Sequence, residues 1–135
     1  MNISKPVPKS HKQGFSLPEL IIVVAIIGLL AGIVYPTYSQ YMYEVRRSDA
    51  QAALTAAAAA QERWYSVNHA YTDSMDKLGG SGSPEGYYTL SVEADTASFT
   101  LTATALSNGV QATDSGCTQF TVNHLGVLAP EACWK

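Results

Sequence analysis

The chain has few of the residues on which catalytic and metal chemistry depends. Charged side chains make up 14% of its 135 residues, against about 25% in an ordinary soluble domain. Eight basic and eleven acidic residues give a net charge of −3, which argues against a basic nucleic-acid binder. Two cysteines are too few for a zinc ribbon or a disulfide-rich scaffold. The three histidines are isolated and no paired carboxylates or metal-ligand cluster is evident, so the sequence predicts a protein that is not an enzyme and holds no metal or cofactor.

A long apolar run lies near the N-terminus. Residues 20–35 read LIIVVAIIGLLAGIVY and contain no charged or strongly polar side chain. Together with the preceding FSLPE, the segment 15–35 would be about 31 Å long as a helix, which matches the hydrocarbon core of a bilayer. The alternative is a buried core helix, but about a hundred further residues would have to enclose so apolar a rod on every side. The run is therefore predicted to span a membrane once.

The charges around this run predict its orientation and a functional acid. Lys5, Lys9 and Lys12 precede the run and are expected to stay cytoplasmic, which places the C-terminal part across the membrane. The Leu, Ile and Val residues of the run favour insertion by about 5 kcal/mol, whereas an acid costs about 3 kcal/mol at the centre of a span. Glu19 opposes insertion and, as an acid in a span, needs a partner. The alternative is a side chain that snorkels to the interface.

Residues 37–67 are predicted to form an amphipathic helix that continues the apolar one. Residues 56–60 are all alanine, the strongest helix former. Pro36 lies at the junction and is expected to kink the helix or to remove one backbone bond, and Gly28 is a poor helix former in water. One helix from residue 15 to about residue 67 is therefore expected. Its apolar face recurs at three- and four-residue spacing and contains Ala50, Ala53, Leu54, Ala57, Gln61 and Trp64.

Residues 68–135 are predicted to form a globular part with a loop and a sheet. Residues 79–84 read GGSGSP, and no Gly-Lys-Ser/Thr of a phosphate loop follows. Farther on, apolar and polar residues alternate with period two in stretches near residues 88–92, 99–103 and 120–122. This pattern predicts four antiparallel strands with turns at 95–97, 107–109 and 123–126. With one face packed on the amphipathic helix and a threonine-rich face in solvent, the fold class is α+β.

The N-terminal residues carry a family resemblance. Residues 12–19 read KQGFSLPE and run straight into the apolar segment, a combination that resembles the prepilin signal of type IV pilins. The resemblance implies that a prepilin peptidase removes residues 1–14 by cutting between Gly14 and Phe15, and that the new amino group of Phe15 is then methylated. It also implies that Glu19 sets subunit registry by pairing with this amino group in a neighbouring subunit.

The resemblance further implies the type IV pilin fold, a long N-terminal helix packed on a C-terminal four-stranded antiparallel sheet. Its membrane half is expected at residues 15–36, and the part between Gly28 and Pro36 is expected to loosen when the subunit enters the fibre. Pilins commonly close a C-terminal loop with a disulfide, here between Cys117 and Cys133, in the oxidising periplasm. The alternative for these cysteines is a free thiol beside His69 or His124.

The C-terminal segment 117–134 is similar to the tail of PilE-type minor pilins. This likeness implies a structural minor pilin that takes part in pilus assembly, twitching motility and adhesion. The implied partners are other pilins, an inner-membrane assembly platform and the inner membrane before assembly, and the final location is the cell-surface pilus. A major pilin and a type II secretion pseudopilin remain alternatives. Removal of residues 1–14 leaves five basic against eleven acidic side chains, which argues against DNA binding by general electrostatics and leaves a local basic patch open.

Overall fold

The computed structural model describes Ser4 and residues 13–135. The rest of the expected leader, residues 1–3 and 5–12, lies outside the described residues. One helix, α1, runs Leu17–Asn68 over 52 residues, close to the predicted extent of 15 to about 67. By its internal contacts the chain divides into two compact units, Met1–Thr37 and Tyr38–Lys135.

The described part of the first unit is apolar and exposed. An 18-residue window at the start of α1 has a mean hydropathy of 2.7, and none of the window is buried. Phe15 is 87% exposed and Ile33 71% exposed, so the unit lacks an apolar cover of its own among the described residues. By length and composition, α1 is the one described helix that is able to cross a membrane.

The second unit buries one face of α1 against a sheet. The predicted face of Ala50, Ala53, Leu54, Ala57 and Gln61 is buried, which confirms the amphipathic pattern. Small alanine side chains on this face allow the sheet to approach the helix backbone closely. Two departures occur at the ends of the face: the buried side begins earlier, with Arg47 and Asp49, and Trp64 is only partly buried.

The sheet has four antiparallel strands, as predicted. They are β1 (Tyr88–Ala94), β2 (Phe99–Ala105), β3 (Gln119–Asn123) and β4 (Leu128–Ala129), in spatial order β1-β2-β3-β4. Val92 and Val122 both lie opposite Leu101 in the register. Val92 is only partly buried. The buried apolar residues of the sheet are Tyr88, Leu90, Phe99, Leu101, Ala103, Phe120 and Val122.

The connections contain short helices that periodicity did not predict. Within residues 13–135, three 3-10 helices occur, at Met75–Leu78, Val110–Thr113 and Glu131–Trp134. The predicted turns are present at 95–97, 107–109 and 123–126. In the first, the Asp95 carboxylate accepts the Ala97 amide at 2.8 Å, and this hydrogen bond is the main reason that the pKa of Asp95 is lowered.

A buried ion pair joins α1 to the loop before β3. Arg47 donates from Nε and Nη2 to the two carboxylate oxygens of Asp114, at 2.7 and 2.6 Å. Both side chains are almost fully buried, and the bond to Asp114 raises the pKa of the Arg47 guanidinium. Gln111 lies beside the pair and donates to the Tyr88 hydroxyl at 2.8 Å. Burial in turn raises the pKa of Tyr88.

Removing one partner of this pair should destabilise the second unit strongly. Asp114→Ala leaves the Arg47 charge buried without its carboxylate, which costs about 3–5 kcal/mol. Replacing both partners, as Arg47→Met with Asp114→Leu, should recover most of the loss, because a buried pair and apolar residues of similar size differ little in stability. The free energy of unfolding of the full chain in detergent micelles, followed by circular dichroism in urea, measures both effects.

Arg63→Met is the matched control, because Arg63 is an exposed arginine on the same helix. Its expected effect is within about 0.5 kcal/mol. Equal losses for Asp114→Ala and Arg63→Met would contradict a structural role for the ion pair.

Candidate functional site

The predicted processing site lies directly before the first turn of α1. Residues 13–16 are exposed and non-helical, and α1 begins at Leu17. The first helical backbone bond runs from the Leu20 amide to the Ser16 carbonyl, at 3.2 Å. Gly14 and Phe15, the expected cleavage and methylation positions, therefore lie outside the helix. The exposure of these residues and their position outside the helix leave this peptide bond open to solution.

Glu19 turns back onto the start of its own helix. Its Oε2 accepts the Ser16 amide at 3.4 Å, which is the reciprocal half of a capping box, with Ser16 just before the helix and the acid three residues later. A carboxylate at this end of a helix is also favoured by the helix dipole. Before cleavage, the Phe15 nitrogen is a peptide amide and carries no charge. The expected charge pair between Glu19 and the Phe15 amine thus belongs to the processed chain.

Gly28 and Pro36, the two residues expected to weaken the helix, lie in a stretch where α1 is continuous. The helix continues through Pro36, whose missing N–H leaves the Gly32 carbonyl without its usual helical donor. One residue later, the Thr37 hydroxyl donates to the Ile33 carbonyl at 3.3 Å. Gly28 has open space where a side chain would stand. Loosening of this stretch in a fibre stays a prediction, since it concerns an assembled state.

The C-terminal loop is closed by a disulfide. Cys117 and Cys133 are bonded at a sequence separation of 16, as the pilin resemblance implied. Both cysteines of the chain are used, which removes the alternative of a free thiol near His69 or His124. The Gln51 side-chain amide donates a hydrogen bond to the Cys133 backbone carbonyl at 3.1 Å, so the bridged segment also contacts α1. Closing a loop of this length contributes about 3 kcal/mol by the chain-entropy estimate.

A small basic and aromatic patch lies at the C-terminal end of α1. The Lys77 ammonium stands 4.6 Å from the centre of the Trp64 ring, and Arg63 and Asn68 line the same shallow cavity of about 320 Å³. Neither Lys77 nor Arg63 forms an ion pair within residues 13–135. We call Arg63, Trp64, Asn68 and Lys77 the Trp64 patch.

Metal binding has no candidate in the described part of the chain. No group of three or more His, Cys, Asp or Glu side chains lies close enough together there to hold an ion.

Comparison with known proteins agrees with this geometry. Residues 36–121 match a family model described as "Type IV minor pilin ComP, DNA uptake sequence receptor", and residues 9–35 match the prokaryotic N-terminal methylation motif. The solved structure of a type IV pilin from Shewanella oneidensis is 32% identical, with a TM-score of 0.53, and the match covers 69% of this chain and 98% of that one. The chain belongs to the type IV pilin family.

Curated relatives are named as pilins as well. The chain is 37% identical to the type IV major pilin protein PilA of Myxococcus xanthus over 58% of its own length and 35% of the relative's. It is 34% identical to the type IV major pilin protein PilE1 of Neisseria gonorrhoeae over 73% of its own length and 61% of the relative's. The chain thus spans between about a third and two thirds of the length of these relatives.

Proposed function

We propose that this type IV pilin is a minor subunit of the pilus. The observation that carries the proposal is the match of residues 36–121, most of the second unit, to a family model of minor pilins. The curated relatives are named mostly as major pilins, so the bulk fibre subunit is the alternative. The Cys117–Cys133 disulfide argues against a type II secretion pseudopilin, a class that usually lacks this bridge. As a minor subunit the chain would support assembly, twitching motility and adhesion.

In this proposal the subunit exists first in the inner membrane and then in the filament. A prepilin peptidase removes residues 1–14 and Phe15 is methylated, as the N-terminal methylation motif supports. Before assembly, residues 15–36 hold the subunit in the inner membrane with its N-terminus in the cytoplasm and the second unit in the periplasm. In the filament, neighbouring pilins cover the same apolar residues. The assembly platform of the inner membrane moves the subunit between the two.

The abundance of the subunit in filaments tests the minor assignment. In pili sheared from wild-type cells, this chain should be a trace component beside a dominant pilin, measured by quantitative mass spectrometry of the processed peptides. Deletion of the gene should reduce surface pili and twitching, and the gene supplied in trans should restore both. A dominant band of this chain in sheared pili would establish the major-pilin alternative instead.

Replacing Glu19 tests its proposed role in registry. Glu19→Leu should strengthen membrane insertion, because an acid is lost from the apolar segment. Incorporation into pili should fall about tenfold or more, because an ammonium left unpaired in an apolar surround costs about 3–5 kcal/mol. Glu19→Asp keeps the charge and should give an intermediate level. The amount of each variant in sheared pili, relative to its amount in membranes, measures the effect.

Glu44→Leu is the matched control, because Glu44 is an exposed acid on the same helix. N-terminal sequencing of each variant separates a defect of assembly from one of processing. Normal incorporation of a correctly processed Glu19→Leu chain would remove the registry role.

DNA binding is a second candidate function. The description of the matching family model names a DNA uptake sequence receptor, and the Trp64 patch offers two cations and an aromatic ring. Lys77 and Arg63 are suited to phosphate oxygens, and a cationic site of this kind gives salt-dependent binding. The patch is local: the processed chain as a whole would carry more acids than bases. Binding would therefore be confined to this end of α1.

The double variant Arg63→Gln with Lys77→Gln should weaken binding of duplex DNA at least about tenfold at low salt. Two lost phosphate contacts should also lower the salt slope of the binding constant by about two. Fluorescence anisotropy of labelled DNA with the full chain in micelles, at 50–200 mM salt, measures both. Lys135→Gln removes an exposed cation outside the patch and should change neither. Absence of binding by the wild-type chain, or an equal slope in the double variant, would reject this candidate.

A further inference from the structure

Pro18 stands four residues after Gly14, whose carbonyl the peptidase must attack. In an α-helix the amide of residue i bonds the carbonyl of residue i−4, so position 18 is the donor that would bond the Gly14 carbonyl. Pro18 has no N–H, and its ring clashes with the carbonyl four residues back when that residue is helical. The proline therefore acts on the one carbonyl that belongs to the proposed scissile peptide bond, between Gly14 and Phe15.

The structure shows the consequence of this arrangement. Pro18 is the second residue of α1, where the amides have no helical partner and a proline removes nothing from the helix. The first helical bond ends on the Ser16 carbonyl, and the Ser16 amide is taken by Glu19. No hydrogen bond to the Gly14 carbonyl is present within residues 13–135, and Gly14 is exposed.

Cleavage needs a Gly14 carbonyl that is exposed and that accepts no helical hydrogen bond. Hydrolysis adds water across the Gly14–Phe15 bond: the oxygen of water forms a bond to the Gly14 carbonyl carbon and the C–N bond breaks. Gly14 becomes a carboxylate, and the Phe15 nitrogen takes both protons of the water and becomes an ammonium. During the attack, negative charge develops on the carbonyl oxygen, which must then accept hydrogen bonds from the enzyme. In one recurring mode of peptide recognition the peptide binds as an extended strand, through its main-chain hydrogen-bonding groups. A carbonyl already engaged inside a helix meets neither need.

We infer that Pro18 is a specificity-determining residue for processing, because it ends α1 short of the cleavage site and keeps the Gly14 carbonyl available. Ser16 and Glu19 act in the same direction by capping the helix at Leu17. The inference rests on the proposed cleavage between Gly14 and Phe15. It assigns the proline a role in the precursor that is separate from its place in the mature helix.

A graded series at position 18 tests the inference. Ala restores the N–H and favours helix strongly, whereas Gly restores the N–H but is a poor helix former. The rate of cleavage of the full chain by a prepilin peptidase in detergent micelles should therefore follow the order Pro, Gly, Ala. We expect Pro18→Ala to be cleaved about fivefold more slowly than wild type, with Pro18→Gly between them. The order matters because loss of a direct contact between the proline ring and the enzyme would make Gly no better than Ala.

Two further measurements connect the rate to the conformation. Amide exchange of residue 18 in Pro18→Ala should be slower than that of an unprotected peptide amide, because the new N–H donates a hydrogen bond to the Gly14 carbonyl. Pro36→Ala makes the same chemical change beyond the apolar segment and should be cleaved at the wild-type rate. Failure to cleave the wild-type chain at this bond would overturn the processing proposal together with the inference. Equal cleavage of wild type and Pro18→Ala, with processing intact, would overturn the inference alone.

Discussion

The apolar surface of the first half of α1 must be covered by something other than the described chain, and most of the biology follows from this constraint. Leu, Ile and Val side chains surround the helix before Pro36 and stay exposed. Each such side chain gains about 1.5–3 kcal/mol when it leaves water, so the segment is stable only in lipid or among other apolar helices. The second half buries a single face on the sheet. One helix thus combines an assembly surface with the scaffold of a globular fold.

The parts of the fold that depend on local pattern were predictable, and those that depend on distant partners were not. The helix, the strands and the turns follow from periodicity and turn residues. The Arg47–Asp114 pair joins positions 67 residues apart, and Arg47 in sequence resembles any other charge beside Glu44. The Gln61 side chain donates to the Thr72 carbonyl at 2.6 Å, which explains a polar residue on an apolar face only once the loop is in place. Such contacts leave no trace in a periodic pattern.

The candidate sites likewise divide into those formed by neighbours in sequence and those formed by residues from distant elements. The N-terminal motif was recognisable because its residues lie side by side in sequence, and the pilin resemblance that it carries implied the disulfide between the two cysteines of the chain. The Trp64 patch brings together residues from α1 and from the first 3-10 helix. The loop sequence did not predict this short helix. Arg47 forms a buried ion pair with Asp114 and is therefore not a surface cation. The few basic residues left on the surface make the position of each one important for any anionic partner.

Under the proposed processing and registry role, Glu19 would change its partner between the precursor and the filament. In the precursor its carboxylate accepts one long, exposed hydrogen bond from the Ser16 amide, and such a bond contributes little net stability in water. After cleavage, an ammonium group appears at Phe15, and in an apolar surround a charge pair is far stronger than in water. The carboxylate therefore gives up little when it leaves the cap. Because both charges are costly if buried alone, the proposed registry role of Glu19 would make a subunit stable in an apolar bundle only in a register that brings the two charges together.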